Sequence, residues 1–106
     1  MLVKVTGRHM SVTDAMKTYA EEKAQRLLRL SQRISEIQVV LDFEGTLPKV
    51  EIIVDVEHAG DFVARETGKD MYAAIDAAVD KVQRQLREHK ERFKKHHQKG
   101  GVKGPG

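Results

Sequence analysis

At 106 residues, 40% hydrophobic and 33% charged, the chain has room for one domain and one core, and its periodic apolar segments exclude a disordered protein. No apolar run approaches the roughly 20 residues of a membrane span, the opening MLVKVTGRH has no signal-peptide core, and the lack of cysteine excludes disulfides, a thiol nucleophile and a cysteine zinc site. The net charge of +3 is unevenly spread, since residues 1–80 carry 10 Lys or Arg against 14 Asp or Glu and residues 81–106 carry 9 against 2. The basic end points to an anionic partner, most simply nucleic acid, although a solvated basic helix would have the same composition.

Leu2 to Thr6 alternates, with Val3 and Val5 on one face and Lys4 and Thr6 on the other, as a short strand does. Gly7 ends it, Arg8 and His9 occupy the turn, and Thr13 is placed to cap a helix running to about Ser31. That helix buries Met16, Tyr19, Ala20, Ala24, Leu27 and Leu30, with Leu28 to one side. Lys23 falls inside the apolar arc, so either its stem snorkels along apolar surface or its ammonium is held in a groove for a phosphate. Arg26, Arg29 and Arg33 lie on the other side.

From Ile34 the period becomes two: Ile37, Val39, Leu41 and Phe43 face inward, and Gln38, Val40, Asp42 and Glu44 outward. After a turn through Gly45 to Pro48, Val50, Ile52, Val54 and Val56 repeat the inward pattern, and a shorter strand covers Asp61 to Glu66. Short loops make these three an antiparallel meander. Gly68 breaks the chain and Asp70 caps a long helix to Lys95, whose buried arc is Met71, Ile75, Ala78, Val79, Val82, Leu86, His89 and Phe93. Lys81, Arg84, Arg87, Lys94 and Lys95 fall off that arc. Residues 96–106, HHQKGGVKGPG, form a flexible basic Gly-rich tail.

The order is β, α, β, β, β, α, an α+β chain most simply packed as a two-layer sandwich with two helices on one face of a four-stranded sheet. A right-handed crossover makes the first two strands parallel. At roughly 1.5 Å per residue the last helix is longer than the strands, and its basic end overhangs the body. The outer sheet face carries Asp42, Glu44, Glu51, Asp55 and Glu57 and no outward aromatic, so the helix side is the expected contact face. Arg and Lys without stacking aromatics suit recognition of RNA backbone and shape.

DMYAAID followed by VDKVQRQLREHK, with the VTGRH turn, the VTDAM helix start and the VVL strand in order, resembles the ribosome hibernation promoting factors over about residues 2–95. That family includes the ribosome-associated inhibitor and was once labelled sigma-54 modulation protein. The resemblance implies a fold like that of double-stranded RNA-binding domains. It implies a ribosome-binding domain over residues 1–95 that occupies the decoding cleft of the small subunit, contacts its rRNA, blocks mRNA and tRNA, and inhibits translation under stress or in stationary phase. The rRNA contacts it implies are Lys81, Arg84, Arg87 and Lys90 of the second helix, Lys23, Arg26 and Arg33 of the first, and Arg8 in the turn. The chain looks like a short form, without the dimerisation domain of long members, and is expected to be a cytoplasmic monomer off the ribosome, with no cofactor and no small-molecule substrate. Whether it favours or opposes ribosome pairing is left open.

Two other classes are weaker. The α/β sandwich with Arg8 after Gly7 could suggest an acylphosphatase, but no nucleophile stands with a base, and there is neither a glycine-rich phosphate loop nor an inward carboxylate pair, so no enzyme is expected. His89, His96 and His97 match no usual metal-ligand spacing. A general RNA-binding or protein-interaction module remains the alternative to a hibernation factor.

Overall fold

The computed structural model describes the backbone of residues 2–102 and the side chains of residues 3–90. The elements are β1 (Leu2–Gly7), α1 (Asp14–Gln25) continued by a 3₁₀ turn (Arg26–Leu30), β2 (Ile34–Glu44), β3 (Leu47–Val56), β4 (Gly60–Thr67) and α2 (Met71–Val102). The sheet order is β1-β2-β3-β4, with β1 parallel to β2 and the remaining pairs antiparallel. Both helices pack on one face, α1 mainly over β1 and α2 over β3 and β4. The expected two-layer βαβββα sandwich is therefore the observed one.

Alternation places the core. Ile37, Val39 and Leu41 of β2 and Val50, Ile52 and Val54 of β3 are buried under the helices. They meet Ala20, Ala24 and Leu27 from the first helical segment and Ala74, Ile75, Ala78, Val79, Val82 and Leu86 from α2. The alanines let α2 lie close to its neighbours. Gly68 serves the same approach at the helix start, because a Cβ there would stand 2.5 Å from the Ala74 nitrogen.

Both expected caps form. Thr13 Oγ1 accepts from the Met16 N–H at 3.1 Å, and Asp70 Oδ1 accepts from the Ala73 N–H at 2.8 Å. After Gln25 the first helix tightens to 3₁₀ winding, which stacks Leu27 above Leu30, three residues on, along the core side. Gln85 of α2 donates to the Val63 carbonyl at 3.1 Å, which satisfies one outward group of the edge strand β4.

Four expectations change. Phe43 is 44% exposed rather than inward, because its pair with Pro48 lies beyond the last residues that β1 and β4 match to the sheet. His89 is exposed, its ring set edge-on against Phe62 at 5.1 Å. The outer sheet face is not uniformly acidic and open, since Val40 and Glu51 are buried on it. Finally, α2 does not end at Lys95 but is helical to Val102. Residues 103–106 of the expected tail, and the side chains of Phe93, Lys94 and Lys95, lie outside the described residues. No helix of the described chain is long and apolar enough to cross a membrane.

Candidate nucleic-acid interface

Cations on the sheet side are all engaged with carboxylates. Lys4 pairs with Glu36 at 3.7 Å, and Lys49 with Glu44 at 3.8 Å. Glu51 is gripped from two sides, by Arg65 Nε at 2.9 Å and by Arg8 Nη2 at 3.3 Å. Arg8 also stands 3.8 Å from Asp42, which His9 approaches at the same distance. This network explains why Glu51 is buried, since a carboxylate leaves water only with partners. It also places Arg8 on the sheet face, away from the other sequence-predicted contacts and already committed to two acids.

The helix side is different. Lys17, Arg26, Arg29, Arg33, Lys69, Arg84, Arg87 and Lys90 have no carboxylate partner among the described residues, and each lies on a helix, the 3₁₀ turn or a turn beside them. Lys90 Nζ instead donates to the Leu30 carbonyl at 3.2 Å, tying α2 to the end of the 3₁₀ turn. Two predicted residues on this side are ion-paired. Lys81 reaches Glu66 of β4 at 3.2 Å and so sits on the α2 flank facing the sheet edge.

Lys23 is held by Asp76 of α2 at 3.4 Å, with its ammonium 5.5 Å from the Tyr19 ring centroid. Tyr19 donates its hydroxyl to the same Asp76 oxygen at 2.8 Å and meets Tyr72 edge-on at 5.1 Å. The hydrogen bond to Asp76 is the main reason that the Tyr19 hydroxyl titrates above its ordinary value of 10.0, with burial and the Asp76 charge adding to it. Lys23 thus lies between the two helices with its ammonium paired to a carboxylate of the protein itself.

Arg29, Arg33 and Lys90 come together around a cleft of about 570 Å³ at the end of the body where the α1–β2 and β3–β4 turns meet α2. A main-chain bond from the Glu57 N–H to the Arg33 carbonyl, 2.9 Å long, pins the two turns together. Arg26 and Arg29 line a second depression of about 470 Å³. The sequence places Arg29 on the outer side of the first helix, and nothing periodic in it links Arg29 or His58 to Lys90.

The family model described as Sigma 54 modulation protein / S30EA ribosomal protein matches residues 3–94. The ribosome hibernation promoting factor of Azotobacter vinelandii is 44% identical over 92 residues, which cover 87% of this chain and 85% of that protein. That of Escherichia coli K12 is 34% identical over 96 residues, covering 91% of this chain and 100% of that protein. Among solved structures, the N-terminal domain of Protein Y from Thermus thermophilus superposes with a TM-score of 0.74 at 37% identity, covering 84% of this chain and 99% of that one. On the match to residues 3–94 and on these relatives, the chain belongs to the ribosome hibernation promoting factor family.

Proposed function

We propose that this chain is a non-enzymatic ribosome hibernation factor of the cytoplasm. It binds the rRNA of the small subunit in the decoding cleft through its helix side and excludes mRNA and tRNA. One observation carries the choice of face: the cations of the sheet are spent on neighbouring carboxylates, whereas most of those on the helices and their turns have no acidic partner among the described residues. A phosphate backbone gains from a cation only what that cation is not already giving to a carboxylate.

On this reading Arg26, Arg33, Arg84, Arg87 and Lys90 are the direct contacts. Lys81 and Lys23 contribute by exchanging a carboxylate for a phosphate, and Arg8 contributes least. The chain works as a monomer off the ribosome. Pelleting the purified protein with small subunits at about 50 mM and at about 500 mM salt tests this. Comigration at low salt that is lost at high salt, with inhibition of translation in a cell-free extract, is the expected outcome; no comigration at low salt refutes it.

A further inference from the structure

The cleft that gathers Arg29, Arg33 and Lys90 has more than charge. Its floor is apolar, built from Leu30, Val56 and Leu86, and two imidazoles, His58 and His89, line it. Its volume of about 570 Å³ is within the range of roughly 300 to 1,000 Å³ typical of small-molecule sites. Among the described residues Glu57 is its one acidic lining residue, against three cations.

The framework around it is fixed by short-range bonds. Ser31 Oγ accepts from the Arg33 N–H at 3.1 Å, the Arg33 carbonyl accepts from Glu57, and Lys90 holds the Leu30 carbonyl with one of its three donors, leaving two. His89 rests edge-on against Phe62, which sets its ring. His58 sits at φ 66°, a left-handed conformation that costs energy for any residue with a Cβ and that glycine or asparagine would take more easily.

Cations beside flat rings over an apolar floor match one ligand chemistry, that of an unstacked nucleotide. Its phosphate meets guanidinium or ammonium groups and its base lies against imidazole and aliphatic carbon. We propose that this cleft binds a single unstacked nucleotide, with Arg29, Arg33 and Lys90 on the phosphate and His58 and His89 beside the base. The site would add contact with one base to an interface otherwise made of backbone charge. It rests on the ribosome-binding reading only for the source of the nucleotide, which is a strand of RNA or a free nucleotide.

The test uses the full chain, nitrogen-15 labelled, titrated with a single-stranded RNA hexamer, an abasic hexamer of equal charge, adenosine 5′-monophosphate and inorganic phosphate. The base-containing hexamer should move amides at 29–33 and 57–59 and bind at least about five-fold more tightly than the abasic one. His58→Gly and His58→Asn, both suited to positive φ, should melt no lower than the parent yet reduce that preference towards one. Arg33→Gln should weaken both strands alike. Shifts of the same amides by the mononucleotide assign the site to a free nucleotide, and shifts by the hexamer alone assign it to an RNA strand.

Equal affinity for the two hexamers overturns the proposal. So does a preference that survives in both folded His58 variants, or inorganic phosphate reproducing every nucleotide-induced shift. If the parent protein still pellets with small subunits in any of those cases, only the base site has failed. Loss of pelleting by the parent is instead the failure of the broader reading.

Discussion

Asp76 takes a hydrogen bond from Tyr19 and an ion pair from Lys23 on the same oxygen, so one carboxylate joins α1 to α2. The sequence places Asp76 off the buried arc of its helix, where an ordinary surface role is the simplest reading. What gives it two partners is the crossing of the helices, which periodicity does not encode. Thr13 and Asp70 were legible because a cap is decided within three residues. Phe43 misled for the opposite reason: its parity is that of the core, but burial depends on how far the flanking strands extend. The Tyr19 link has a defined pH behaviour. Its neutral form is the one favoured by the fold, so its contribution is complete below pH 10.0 and is lost as pH rises through the raised value. Asp76→Ala should bring the Tyr19 titration back towards 10.0, followed by NMR at the ring Cζ; an unchanged titration would mean that the hydrogen bond does not hold it.

At the scale of elements, α2 is both wall and contact surface. Its buried side was legible from spacing alone, since Ile75, Val79, Val82 and Leu86 recur at helical intervals and all are buried. Leu86→Asp should cost on the order of 3 kcal/mol or more and shift thermal unfolding strongly, because it buries a carboxylate without a partner. Gly68→Ala should lower the melting temperature as well, since the added carbon meets the first turn of α2; a neutral effect would show that the turn can yield. Reversing the charge of Lys81, Arg84 and Arg87 to Glu should instead leave the protein folded. Among the described residues only Lys81 gives up an ion pair, a surface contact worth at most about 1 kcal/mol. Circular dichroism and pelleting with small subunits check both halves. A folded triple variant that still inhibits translation would move the interface off α2.

Across the whole molecule, charge is sorted by layer rather than only by chain half. The sequence shows a basic end and an acidic sheet, but the sheet's acids are substantially neutralised by Lys4, Arg8, Lys49 and Arg65. That side has its cations spent, and Asp55 and Glu57, with no cation partner among the described residues, leave it net acidic. Sheet pairing brings Glu51 and Arg65 opposite each other, and register is beyond what composition can tell. The fold class was readable because each element has one apolar face, and two layers satisfy all of them. The helix-side cluster around Arg29, Arg33 and Lys90 was not, because it joins three separate segments. If about five phosphates are neutralised, log affinity for rRNA should fall against log salt with a slope of roughly −3.5 to −4.5, and a slope near zero would remove charge as the basis of binding. The most direct test is a density map of the protein on the small ribosomal subunit. The account predicts the chain in the decoding cleft with α1 and α2 against rRNA and the Arg8–Glu51–Arg65 face turned away; a map with that sheet face on the rRNA, or with the chain outside the cleft, would contradict it.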